Sequence, residues 1–219
     1  GGYSSGTVAG MRSRRYHGLL VAATKPPLGR AVLLSGFDEK VTIAGKSYSL
    51  STARYENTVS PEGYKFLTGF RLDPYPIWTF SLDGVEVERR LFMPHGENTA
   101  VMSWALLPNV PDASLELTPM LAFRDHHHLR HEIANFPYDY QVGIGTVRFE
   151  GFDGFPALNL AYNAQKIDEL GVWYRDFAYG IEKERGFDFT EDVFAPCVFN
   201  FDLAKPAVVI ASTEEHRFE

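Results

Sequence analysis

Short segments in which apolar and polar residues alternate recur along the whole chain, separated by glycine, proline, asparagine and aspartate. A period of two sends one set of side chains to a buried face and the other to solvent, so these segments read as β-strands. Strands are expected at 19–24, 31–35, 64–72, 100–107, 114–123, 145–149, 157–162, 198–203 and 207–212. The sharpest signal is a hairpin at 77–93, where Asp83-Gly84 separates 78–82 from 85–91. An Asp-Gly pair supplies the two positive-φ positions of a type I′ turn, and the alternating polar residues predict one wet face. Lys25, Pro26, Pro27 and Gly29 mark the turn between the first two strands. Helical periodicity is scarce: between 168 and 194, only 181–185 and 190–192 read as one or two short helices or turns. About a dozen strands with no repeat and no low-complexity linker predict an all-β, antiparallel sandwich.

The chain has 219 residues, 45% hydrophobic and 22% charged. That composition excludes a disordered or fibrous chain, and the length is enough for one large core without staples. A single domain over 1–219 is expected. The formal charge of −7 opposes a polyanionic partner, because phosphate affinity is largely cationic, so no nucleic acid is expected. No apolar run approaches the ~18 residues of a membrane span, so no membrane partner is expected either. The one cysteine, Cys197, has no internal partner and no metal-type spacing, which points to the cytoplasm. Residue 1 is Gly rather than Met and 1–6 already form a tight Gly/Ser motif, so the chain reads as part of a longer protein.

Two motif matches fail in context. Gly2-Tyr3-Ser4-Ser5-Gly6 fits G-x-S-x-G, but no strand feeds the turn and the β/α alternation of that hydrolase fold is missing. Ser4 is therefore read as a turn residue, not a nucleophile. Gly143-Ile144-Gly145 begins like a dinucleotide loop, yet Arg148 holds the third glycine position and a strand follows, which leaves no phosphate cradle.

Three clusters carry polar chemistry. Arg12, Arg14, Arg15, Tyr16 and His17 crowd ahead of the first long strand. Guanidinium forks and polar-tipped rings suit carboxylates or hydroxyl-rich ligands, although arginines beside a strand also pair with acidic loops. His126, His127, His128 and His131 follow Arg124-Asp125. His126 and His128 share a face if extended, His128 and His131 if helical, but no third ligand is specified; no metal is expected, and a solvated or hydroxyl-binding loop is the reading. The third cluster runs over 173–192 and holds Arg175, Asp176, Glu182, Glu184, Arg185, Asp188, Glu191 and Asp192. A glycosidase needs two carboxyl groups ~5–9.5 Å apart, one of them kept protonated. This stretch supplies carboxylates without singling out two, and a salt-bridged loop at an interface is the favoured reading.

The segments GGYSSGTVAGMRSRRYHGLLVAAT at 1–24, PPLGRAVLLS at 26–35, FRDHHHLR at 123–130 and WYRDFAYGIEKERGFDFTED at 173–192 follow one another in this order. Together they resemble the N-terminal domain of bacterial and archaeal glycogen debranching enzymes, the amylo-α-1,6-glucosidase family, over essentially the whole chain. The resemblance implies a large antiparallel β-sandwich of the mutarotase-like supersandwich type with few short helices. In such enzymes it is followed by a helical α/α-barrel that carries the catalytic carboxylates. The implied partners are an α-glucan (glycogen-like) substrate and the C-terminal α/α-barrel catalytic domain of the same chain, with no cofactor and no catalytic residue within 1–219.

Residue by residue, Arg14, Arg15, Tyr16 and His17 match the RRYHG element, and Arg124, Asp125 and His128 match the RDxHxL-like element. Arg175, Asp176, Glu182, Glu184, Arg185, Asp188, Glu191 and Asp192 match the late motif. The resemblance implies that they shape a loop face or interface beside the substrate cleft. Two other classes stay open: a self-contained sugar-binding module, and a mutarotase-like isomerase, which needs a histidine acid and a glutamate base in one concave sheet.

Overall fold

A computed structural model describes residues 1–25, 28–108 and 110–218. The chain opens with β1 (Tyr3–Ser5), β2 (Gly18–Lys25), β3 (Gly29–Ile43) and β4 (Lys46–Ser49), then a small ribbon of β5 (Thr52–Arg54) and β6 (Val59–Glu62). A meander follows: β7 (Leu67–Leu72), β8 (Pro76–Leu82), β9 (Val85–Phe92) and β10 (Thr99–Leu107). The long β11 (Ala113–Asp125) precedes β12 (Tyr140–Gly143), β13 (Thr146–Phe149) and β14 (Leu158–Tyr162). Then come β15 (Lys166–Ala178), β16 (Thr190–Asp202) and β17 (Ala207–Ser212). One sheet has the order β1-β2-β3-β11-β16-β15 with β4 beside β3, and the other is β12-β13-β14-β17-β10-β9-β8-β7.

The two sheets share a core because their inward positions alternate as the sequence pattern requires. In β10, Ala100, Met102, Trp104 and Leu106 are buried, while Val101, Ser103 and Ala105 between them are only partly so. They meet Leu115, Leu117, Phe199 and Phe201 of the opposite sheet in one apolar cluster. Each such side chain contributes roughly 1.5–3 kcal/mol on burial. β11 and β16 lose this alternation toward the end that carries Arg124 and Glu191. There Met120, Ala122 and Val193 face a second, smaller cluster with Val21, Val32, Ala53 and Phe177, so both faces of the strands are covered.

The Asp83-Gly84 hairpin forms as expected, with φ of 50° and 90° at the two turn residues. Its outer face is wet at Glu86 and Arg90, but Glu88 is buried between Arg71 and Arg90. Arg89 turns into the core. The expected strand at 64–72 begins instead as a 3₁₀ turn at Gly63–Phe66, where a Cβ on Gly63 would lie 2.2 Å from the Leu50 carbonyl oxygen. The short helix α1 (Gly180–Glu184) falls within the region read as helix or turn. Gly186, at φ 72°, closes it: the Gly186 N–H reaches the Lys183 carbonyl and the Phe187 N–H the Glu182 carbonyl. Residues 190–192 are not helical; they open β16, because Glu191 and Asp192 are drawn inward by donors described below. Pro26 and Pro27, read as a turn, lie outside the described residues.

One irregularity positions a cavity. β2 pairs with β3 only as far as Leu20↔Leu34, and β4 takes up β3 only from Lys40↔Ser49. Over residues 35–39 that edge of β3 has neither strand beside it. Ser51 caps part of the gap by accepting the Glu39 N–H at 2.7 Å. No helix among the described residues is long and apolar enough to cross a membrane.

Candidate functional site

The three sequence clusters converge on two buried carboxylates. Glu182, in α1, is fully buried. Arg15 donates to its Oε2 from Nε at 3.1 Å and Nη2 at 2.9 Å, and the Arg15 backbone N–H reaches Oε1 at 3.4 Å. Arg14 stands 3.6 Å from Oε1 and Arg185 3.9 Å from Oε2. Burial alone would raise the Glu182 carboxyl, but the hydrogen bonds and charges of Arg15, with the charge of Arg14, hold it below the ordinary glutamate range. The third Arg15 donor, Nη1, reaches the His127 carbonyl at 2.8 Å and so ties the first cluster to the second.

Glu191 is the other centre and is likewise fully buried. Arg124, itself 2% exposed, binds it through Nε and through Nη2 at 3.1 Å, and also donates from Nη2 to the Arg15 carbonyl at 2.8 Å. Tyr179 donates its hydroxyl to Glu191 Oε2, and the Arg130 N–H reaches Oε1 at 3.1 Å. Complete burial and the Glu191 charge push the Tyr179 phenol far up. Asp192 accepts the N–H groups of Glu132 and Asp176, each at 2.9 Å.

Two bulges aim these groups. Between Leu121↔Leu34 and Arg124↔Val32, β11 holds one residue more than β3; Phe123 takes φ 40° there. Between Tyr174↔Val193 and Phe177↔Glu191, β15 holds one more than β16, with Asp176 at φ 63°. A bulge re-aims side chains at the end of a strand. Here they deliver the Arg124 guanidinium to Glu191 and the Asp176 N–H to Asp192.

Around this knot lies an accessible rim. The Tyr16 hydroxyl is 3.2 Å from His127 Nδ1, and its ring meets His126 and His127 edge-on at 5.7 and 5.6 Å. The Ser13 N–H donates to His17 Nδ1 at 3.2 Å; burial, then the charges of Arg14 and Arg12, lower the His17 imidazole. Asp125 accepts the His127 N–H at 2.8 Å and turns the chain, so 126–128 is neither strand nor helix and the histidines do not align as ligands. Among the described residues, no three His, Cys, Asp or Glu side chains group to hold a metal.

The candidates therefore divide. Arg124, Glu182, Glu191 and Asp192 are buried, and Arg15 nearly so. Arg14, Tyr16, His17 and Asp125 are half-buried; His128, Arg175, Asp176, Glu184, Arg185 and Asp188 are exposed. Arg175 pairs with Glu132 at 2.5 Å and Asp188 with His131 at 3.5 Å, away from the two centres. Arg130, Tyr179 and Glu132 belong to the same network without having been singled out. Arg130 and Tyr179 lie inside the quoted motifs, but a backbone amide and a single hydroxyl leave no mark in sequence. A general acid needs its pKa raised, and Glu182 is shifted the other way.

The structure is thus a two-sheet antiparallel sandwich in which an arginine–carboxylate knot braces a polar loop rim. The family described as glycogen debranching enzyme N terminal matches residues 1–210, and the chain belongs to that family. Among solved structures, a bacterial glucoamylase complexed with acarbose is similar at 8% identity and a TM-score of 0.41, covering 93% of this chain and 31% of that one. A proposed kojibiose phosphorylase from human microbiome is similar at 9% identity and a TM-score of 0.35, covering 84% of this chain and 22% of that one. The chain thus spans under a third of the length of either. No curated protein matches it.

Proposed function

We propose that this chain is a single, non-catalytic domain at the N-terminal side of a cytoplasmic glycogen-debranching α-1,6-glucosidase. Its rim extends the α-glucan site of a helical α/α-barrel catalytic domain in the same protein. The observation that carries the reading is the convergence of three distant motifs on one braced loop face, with Arg14, Tyr16 and His128 left at its surface. Family membership supports the substrate class. The paired state of Glu182 and Glu191 supports a positioning role over a catalytic one.

Two measurements test it. The chain alone releases no glucose from branched limit dextrin; release abolished by replacing one carboxylate within 182–192 refutes the reading. In the full-length enzyme, Arg14→Ala with His128→Ala lowers kcat/KM on limit dextrin roughly tenfold or more, the order of one hydrogen bond to a charged group. Unchanged kcat/KM rejects a role for this rim at the substrate or the barrel.

A further inference from the structure

The gap beside residues 35–39 of β3 opens into a cavity of about 390 Å³, within the ~300–1,000 Å³ range of small-molecule sites. The N-terminal segment roofs it: the Trp78 indole N–H donates to the Val8 carbonyl at 2.9 Å. One wall is aromatic, with Tyr55 stacked on Phe177 at 5.4 Å and 22°, and Tyr174 beside Phe177 at 6.4 Å. Trp78, tilted against Phe70 at 5.2 Å, also lines the cavity.

The polar groups in this lining are underused. Asp38 makes no side-chain hydrogen bond or ion pair among the described residues, and neither do the hydroxyls of Tyr55 and Tyr174, all of which line the cavity. Asp38 acts on both phenols: burial first raises each, and the Asp38 charge adds to it, opposed by Arg12 at Tyr55. Arg12 is held by Ser35 Oγ at 2.5 Å and lies 4.8 Å over the Phe177 ring. Deeper in, Arg89 is 7% exposed and sits 4.3 Å over the Trp78 ring. It donates to Glu39 Oε1 at 2.9 Å, Trp104 donates to Oε2 at 3.0 Å, and Arg89 Nε–H is buried with no acceptor. A buried unsatisfied donor in a native fold calls for an explanation.

Arg12 and Arg89 balance Asp38 and Glu39, so the lining carries no net charge and selects against an ionic ligand. Flat aromatic rings match the C–H faces of a pyranose, and a carboxylate, two phenols and guanidinium donors match its rim of hydroxyls. We propose that this slot binds a neutral saccharide of one or two pyranose rings, at a site separate from the motif rim.

The probes are maltose and isomaltose, titrated into the chain with tryptophan fluorescence and ligand-detected NMR as readouts. The slot predicts saturable binding, a fluorescence change that Trp78→Phe removes, and roughly tenfold weaker binding in Asp38→Asn. Thermal stability stays the same in Asp38→Asn, because the carboxylate gives up no partner. No saturable binding of either sugar overturns the proposal, as does binding that Asp38→Asn leaves intact. Tighter binding of glucose 6-phosphate overturns the neutral class. If Arg14→Ala abolishes binding and Asp38→Asn does not, the sugar sits on the rim: the slot falls and the functional reading above stands. Loss in Asp38→Asn with none in Arg14→Ala upholds the slot whatever the rim does.

Discussion

Replacing Glu191 by Gln removes one charge from the middle of the knot and changes almost nothing else in shape. Glu191 accepts from Arg124 through two nitrogens, from the Tyr179 hydroxyl and from the Arg130 N–H, all in complete burial. The neutral amide still accepts at one atom, but the Arg124 guanidinium, 2% exposed, keeps its charge and loses its counter-ion. Breaking a buried ion pair from one side costs about 3–5 kcal/mol, against a total stability of ~5–15 kcal/mol. At ~2–4 °C per kcal/mol for a chain of this size, the melting temperature should fall by roughly 6–20 °C, read by circular dichroism or calorimetry. The double variant Glu191→Gln/Arg124→Met removes the stranded charge as well, and should recover part of the loss. A fall under ~2 °C in Glu191→Gln would refute the account of the knot as a buried, mutually dependent pair.

Four further outcomes are expected. Glu182 is held below its ordinary range in the folded chain, so its contribution is complete above that range and is lost as pH falls through the depressed native value. The urea midpoint should therefore drop on acidification, and Glu182→Gln should flatten that slope. Arg14→Ala, at a partly exposed pair of 3.6 Å, should shift stability by less than ~1 kcal/mol in the same urea titration. Gly84→Ala forces a Cβ onto φ 90° in open space, so its cost is backbone strain of about 1 kcal/mol, seen as a lower melting temperature. Cys197 is fully buried and burial pushes its thiol up to about 12, so it should resist alkylation at pH 8 until urea unfolds the chain.

The sandwich is legible in the sequence because its inner strands obey the period of two, as β10 does residue by residue. The lengths of β3, β11 and β16 are not, since burial on both faces erases the alternation that marks a strand. All three motifs of the knot are visible as clusters, yet the pairing of Arg124 with Glu191 depends on a bulge in β11, and the contact of the Asp176 N–H with Asp192 on one in β15. The positive φ of Phe123 is beyond sequence reading, because a bulky residue is the poorest candidate for it. The slot is hidden from the sequence for another reason. Asp38 and Glu39 lie beyond the strand expected at 31–35, and the interrupted pairing along that edge of β3, which leaves them beside a cavity, has no signature in residue pattern.

The bond between Arg15 and Glu182 joins residues 167 positions apart. The first segment of the domain to be synthesised is thus among the last to be locked. At ~5–20 residues per second, the ribosome needs roughly 8–30 s to deliver Glu182 after Arg15 has appeared. Through that interval the Arg15 guanidinium lacks its buried partner, and β3 waits for β11, and β11 for β16, before that sheet is complete. Closing this part of the fold is therefore a long-range event, in which a segment made early is fixed only by one made late.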